Sequence, residues 1–426
     1  MAVLTTEQEQ TVQGAPAIDA GGSVRAKARV TTRAATGRSL DDRSEVAGAE
    51  AATAALAGLE GAEPKLALVF ASSDHEQADV LDAVRSVVPT APLVGCSGEG
   101  IIVGNDSTEA LSAVAVMLIA SERVRFETFL IENYADDPAG AGSRLAALVN
   151  ERIDDARCLC VLPDGLLGNC TALLEALHTG LSRPLPIVGG AAADAMTFQQ
   201  TFQYFDTQVF SGGLVAFLVS GDVDVEVAVS HGCTPIGLER QVTSSDAGWI
   251  REIDNQPAWS VFKEYLAEDS DDLNADGIVH LCIGEPLRDA GESYDPYVIR
   301  TPLQLDKATG ALFFPGGGLT EGSAVQLTRR DAEKIRQSAR ECASGLRASH
   351  NGRAPDFVLQ FDCAGRGRIL WGACAAGEIV EPLRQSLGAT TPWIGFHTYG
   401  EIAPIAGRPY YHNYTVALCA MYEREQ

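Results

Sequence analysis

Pro92-Leu-Val-Gly95-Cys96-Ser97-Gly98-Glu99-Gly100 and Pro392-Trp-Ile-Gly395-Phe-His397-Thr398-Tyr-Gly400 share one spacing, Pro-x-x-Gly-x4-Gly, 300 positions apart. Each closes the same series of patterns. Before the first come an apolar run, Leu66 to Ala71, and a helical period from His75 to Val88. Before the second come Phe357 to Phe361 and a helical period from Gly377 to Leu387. Between them lies a third copy: Cys158 to Leu162, a helix over Asn169 to Leu181, then Pro186-Ile-Val-Gly189 and the loop GAAAD. One Pro and one Gly merely punctuate a turn. Three copies in the same slot indicate shared architecture. The strands are apolar on both faces, as in sheets covered by helices. The expected fold is α/β, with mixed β-sheets under helices, built of repeated strand–helix–strand–strand units in two related halves.

Outside these units the pattern weakens. Residues 1–22 have no periodicity and are expected as a flexible tail. Residues 24–32 alternate like an edge strand, and Asp41-Asp42 reads as a helix start. Ala258 to Leu266 reads as a helix, followed by an acidic loop at 268–277 that lacks the ligand spacing of a calcium loop. The expected domains are 23–235 and 236–426.

Composition narrows the function. The 426 residues carry 57 Asp and Glu against 32 Lys and Arg, a net charge of −25. Such a chain repels phosphate backbones and anionic lipid, so neither nucleic acid nor membrane is an expected partner. No apolar run reaches the ~20 residues of a membrane span. The ten cysteines are sparse and lie mostly in apolar runs, which fits reduced thiols of a cytoplasmic protein. No CxxC occurs, and no metal-ligand spacing is visible.

The candidate ligand-binding residues sit where loops follow strands. Gly95, Cys96, Ser97 and Glu99 line the first Gly-rich loop, where glycines let a ligand approach the backbone. Asp164 follows the second apolar strand, and Gly190 and Asp194 occupy the equivalent Gly-rich slot. His231, in Ser-His-Gly-Cys-Thr-Pro, ends an alternating strand. Cys363 and Arg366 follow the third strand, and His397, Thr398 and Glu401 follow the third Pro-x-x-Gly. Arginine just past a strand end suits a carboxylate, and Glu401 suits the positive end of a zwitterion. Arg366 is expected to face a cavity shared with the loop at 95–100 or that at 395–401. No catalytic constellation, P-loop or nucleophile elbow is present, so no catalytic residue is assigned.

The runs VGCSGEGII, PIVGGAAADAM and HGCTPIGLERQVTSSDAGWIREIDNQPA resemble the N-terminal domain of FIST (F-box and intracellular signal transduction) proteins. FDCAGRGRILWG, WIGFHTYGEIAP and HNYTVALCAMY resemble the FIST C-terminal domain. The likeness covers residues ~25 to 425 in the family's order. It implies an intracellular sensory module for a small ligand, with amino acids as candidates, often fused to output domains. No output domain fits within this chain, so signalling through a separate partner, such as a histidine kinase, is expected. One branch of the family resembles haem-binding nitric-oxide sensors. Haem is therefore the alternative cofactor, with His231 or His397 as axial ligand, although no other cofactor is expected. An enzyme of unknown reaction is the third reading.

Overall fold

The three Pro-x-x-Gly segments each enter a strand that lies parallel to the apolar strand before its helix. In the computed structural model, which describes residues 32–109, 111–266, 273, 281–288 and 297–425, β2 (Leu66–Ser72) pairs with β3 (Leu93–Gly98). Likewise β8 (Ala156–Pro163) pairs with β9 (Ile187–Ala191), and β23 (Phe357–Cys363) with β24 (Trp393–Thr398). The tail and, apart from Leu273, the acidic loop at 268–277 lie outside the described residues. So does the strand expected at 24–32, apart from Thr32; the first described strand is β1 (Arg33–Ser39).

Each unit has an outer edge strand, a helical layer and a hairpin. The edge strands are β1, β7 (Val124–Ile131) and β13 (Val223–Ser230). The strands that close the units are β6 (Val114–Ala120), β12 (Leu214–Gly221) and β27 (Val416–Glu423). The hairpins are β4 (Gly100–Val103) with β5 (Asp106–Glu109), β10 (Gln203–Phe205) with β11 (Gln208–Phe210), and β25 (Gly400–Ile405) with β26 (Arg408–His412). No hairpin stays in its own sheet. The sheet orders are β1-β6-β2-β3-β10-β11, β7-β12-β8-β9-β25-β26 and β13-β27-β23-β24-β4-β5. Unit one takes the hairpin of unit two, unit two that of unit three, and unit three that of unit one. The sequence repeat is thus three structural units in a closed cycle.

Alternation along the strands builds two kinds of core. Phe70, Cys96, Leu162, Phe217, Phe361 and Phe396 point inward from all three sheets into one shared apolar core. The opposite faces pack under helices: α1 (Ser44–Gly58) and α2 (Gln77–Val87) on the first sheet, α3 (Pro138–Asn150) and α4 (Cys170–Gly180) on the second. Asp41 and Asp42 precede α1 without capping it; Asp41 instead pairs with Arg43 at 2.8 Å. Asn169 does cap α4, its side chain accepting the Ala172 N–H at 2.9 Å.

Between β13 and the third helical layer, the short strands β14 (Cys233–Pro235) to β22 (Ala324–Arg330) form a separate antiparallel sheet, with α5 (Ala258–Lys263) against it. The third layer is α6 (Ala332–Ser349), α7 (Arg368–Trp371), α8 (Ala375–Ile379) and α9 (Glu381–Leu387). The helix expected over 377–387 is broken because Pro382 lies in the first turn of α9 and has no N–H to continue a preceding helix.

The glycine of Pro-x-x-Gly has a single physical cause in all three copies. A Cβ on Gly95, Gly189 or Gly395 would lie 1.7, 1.9 or 2.0 Å from the carbonyl oxygen of its parallel partner, Val69, Val161 or Gln360. Gly95→Ala is therefore expected to destabilise the protein by about 3 kcal/mol or more, at the upper end of overpacking costs. Gly345→Ala, in α6 with nothing within 4 Å of the added carbon, is expected to stabilise by up to about 1 kcal/mol. Urea midpoints of the two variants test the contrast; equal midpoints would refute it.

Candidate functional site

Where β3, β9 and β24 leave their sheets, the three chains meet. Aligned on Gly95, Gly189 and Gly395, the positions two further on are Ser97, Ala191 and His397, and those four further on are Glu99, Ala193 and Tyr399. Their backbones bond in a ring. The Glu99 N–H donates to the His397 carbonyl at 3.0 Å, the Tyr399 N–H to Ala191 at 3.3 Å, and the Ala193 N–H to Ser97 at 3.0 Å. The ring is symmetric in backbone but not in side chain, because the titratable groups gather at the third unit's crossing.

At that crossing Asp362 and His397 are register partners on β23 and β24, and both are fully buried. The exchanged β4–β5 hairpin brings Ser107 and Glu109 alongside. The Ser107 hydroxyl lies 2.7 Å from His397 Nε2, and Glu109 Oε1 lies 3.4 Å from it. Glu99, in the connection between β3 and β4, joins them; one donor atom from each of Glu99, Glu109 and His397 falls within 4.8 Å of the others. Burial pushes the Glu99 carboxyl up to about 7, helped by the Glu109 carboxylate. Burial alone would lower the His397 imidazole; Glu109, Glu99 and Asp362 together hold it above its ordinary value.

A second polar group lies one strand further on. The Thr398 and Thr415 hydroxyls each donate to Glu401 at 2.7 Å, and the Thr415 N–H donates at 3.1 Å. Burial outweighs these bonds and pushes the Glu401 carboxyl up to about 8. Arg366 is fully buried, with its Nε bonded to Asp362 Oδ1 at 3.0 Å. Asp362 Oδ2 accepts from Gln360, whose own oxygen accepts the Trp393 N–H at 2.8 Å. Arg366 Nη1 lies 3.4 Å from the carbonyls of Ser230 and His231. It therefore meets the backbone of the chain leaving β13 and, through Asp362, the register partner of His397 in the loop at 395–401.

That backbone borders a cleft of about 670 Å³ between β13 and α6. Ile335, Ala339, Ala343 and Leu346 bury one face of α6, and a neighbouring stripe of Lys334, Ser338, Glu341, Cys342, Gly345 and Ser349 lines the cleft. The small residues of that stripe leave the space open. Glu226 and His231 border it from the strand side, and Pro404 to Ala406 from the β25–β26 turn. His231 is buried, and its Nδ1 accepts the Cys233 N–H at 2.9 Å.

The other sequence candidates take local roles. Cys96 faces the shared core, where burial pushes its thiol well up, and burial does the same to Cys363. Ser97 donates to the Ala193 carbonyl at 2.8 Å and accepts the Phe202 N–H. Asp164 accepts the N–H groups of Leu166, Leu167 and Gly212, each at 2.9 Å. Asp194 accepts three successive N–H groups, Phe198 to Gln200, and the Thr197 and Tyr399 hydroxyls. Both aspartates thus organise turns. Gly190 pairs with Glu401, where a Cβ would lie 2.6 Å from the Thr398 methyl. Sequence reasoning missed Ser107, Glu109, Asp362, Thr415 and Lys334. Asp362 had a signal, a charge inside the apolar run FVLQFDC; Glu109 had none, since its hairpin reaches the site through strand exchange.

The fold and crossing define an α/β protein of three interlocked units with one polar junction. The FIST N domain matches residues 65–256 and the FIST C domain residues 258–404. The chain belongs to the FIST family of signalling sensor domains. An uncharacterized protein of Mycobacterium tuberculosis is 31% identical over 378 residues, covering 87% of this chain and 95% of that one. An uncharacterized protein of Methanocaldococcus jannaschii is 26% identical over 196 residues, 44% of this chain and 38% of that one. Among solved structures, a cyanuric acid hydrolase aligns over 91% of this chain and 99% of its own at 9% identity, with a TM-score of 0.33; so low a score carries no inference. Among the described residues no helix is long and apolar enough to cross a membrane.

The buried Glu401 makes stability depend on pH. Its folded pKa of about 8 exceeds the ordinary 4.5, so between those values the folded state keeps a proton that the unfolded chain releases. Stability then falls as pH rises, by about 1.4 kcal/mol per pH unit from this group. Glu401→Gln stays neutral and keeps one acceptor oxygen, enough for the Thr415 hydroxyl and N–H, while its amide N–H donates to the Thr398 hydroxyl. It is expected to flatten the decline of Tm between about pH 5 and pH 8; an unchanged slope in thermal melts would refute the assignment.

Proposed function

We propose that the protein is a sensor whose ligand, a small zwitterion such as an amino acid or a related metabolite, enters the cleft between β13 and α6. The observation that carries this reading is the cleft's position. Its strand wall belongs to the FIST N match and its helix wall to the FIST C match. A ligand seated there touches both, so its binding energy favours one arrangement of the two walls. The lining suits a zwitterion: Lys334 for a carboxylate, Glu226 and Glu341 for an amine. The signal passes to a separate partner, for which a histidine kinase is the expected class.

Haem fits the residues less well. His231 Nδ1 is engaged by the Cys233 N–H, and His397 is buried against Ser107 and Glu109. The cleft mixes apolar residues, among them Val227, Val229 and Ile405, with the charged Glu226, Lys334 and Glu341, a lining more polar than a porphyrin needs.

A thermal-shift screen against an amino-acid and metabolite panel tests the reading. A ligand at 100 times its Kd adds about 2.7 kcal/mol to the folded state, which raises Tm measurably. Lys334→Ala and Glu341→Gln are expected to abolish the shift while melting within a few degrees of the parent. A shift that survives both substitutions would move the site elsewhere.

A further inference from the structure

We propose that Glu99, Glu109 and His397 form a binding site for a divalent first-row transition-metal ion such as Zn²⁺ or Mn²⁺. The three side chains come from the β3–β4 connection, the end of β5 and β24, and each offers a donor atom within 4.8 Å of the others. His397 Nε2 and Glu109 Oε1 are 3.4 Å apart. Two ligands about 2.1 Å from a tetrahedral ion stand about 3.4 Å apart, so this pair already has the edge length of a coordination polyhedron. The Ser107 hydroxyl meets Nε2 at 2.7 Å, a hydrogen-bond distance, so an incoming ion takes the place of that bond.

Two further observations point to a ligand rather than to a cluster of acids. Glu99 is nine-tenths buried, and its Oε2 has no hydrogen-bond partner; a carboxylate oxygen left so is costly unless a proton or a cation meets it. The surrounding chain is also shaped around Glu109. The Arg368 N–H donates to Glu109 Oε2 at 2.6 Å, and a Cβ on Gly367 would lie 2.3 Å from that same oxygen. Such outer contacts fix a carboxylate for coordination. One imidazole with two carboxylates selects transition ions over Ca²⁺ and Mg²⁺, which take oxygen alone. No local spacing announces the site, because its ligands at 99, 109 and 397 meet only through strand exchange.

The test uses the full chain, stripped with a chelator and titrated with Zn²⁺ or Mn²⁺ by calorimetry, with the bound ion counted by mass spectrometry. One equivalent is expected, and Glu109→Gln and His397→Ala should each weaken binding at least tenfold. Should either variant fail to fold, the Co²⁺ spectrum of the parent protein decides. Visible bands without thiolate charge transfer support the site; thiolate bands or no bands overturn it. Failure of the parent to bind an ion, as when His397 carries a proton between the two glutamates instead, overturns it as well. Lys334→Ala should leave metal binding unchanged, so this site and the cleft stand or fall separately.

Discussion

The ring of three backbone hydrogen bonds at the crossings is the constraint on which the rest depends. Each bond joins an N–H four residues past a strand glycine to a carbonyl two residues past the equivalent glycine of another unit. For that ring to close, every chain must leave its sheet immediately after its central strand. It must also pass close enough to its parallel neighbour to exclude a Cβ, and only glycine permits this. The exchanged hairpins, the shared apolar core and the outward helical layers follow from that geometry.

Symmetry in the backbone makes the asymmetry of the side chains informative. The position held by His397 is Ser97 in the first unit and Ala191 in the second; that held by Asp362 on β23 is Ala71 on β2. Apolar or small residues serve the frame equally well at those places. The buried charges of the third crossing add desolvation that the frame does not require. Cores of this size are stabilised by burial, so packing gives no reason for polar groups concentrated at one of three equivalent points, and that makes this crossing the candidate site.

The frame was legible because it is periodic. Apolar strands, their helices and the repeated Pro-x-x-Gly read directly from the chain, and the Gly-x4-Gly shared by the first and third copies singled out the crossings. The succession of motifs also carried the family resemblance. The candidate site was legible only in part. Glu99, His397, Thr398 and Glu401 are near the repeated glycines, and the structure brings them to adjoining polar groups. Asp164 and Asp194 look alike in sequence but cap turns, since an aspartate beside glycine serves a ligand and a backbone equally well. Glu109 and Lys334 were invisible, because one arrives on a hairpin donated from another unit and the other belongs to a helix stripe whose opposite wall is 100 residues away in the chain.

The cyclic exchange also bears on how the polypeptide emerges from the ribosome. Ile101 on β4 finds its partner in Phe396 on β24, so a hairpin made early waits for the last strands to be synthesised. At bacterial or eukaryotic elongation rates of roughly 5–20 residues per second, that interval is roughly 15–60 s. Throughout it the apolar Ile101 and Ile102, both fully buried in the finished protein, have no sheet to join. The nascent chain therefore carries an open strand edge for most of its translation, a natural substrate for holding chaperones and the point at which two growing copies would trade hairpins.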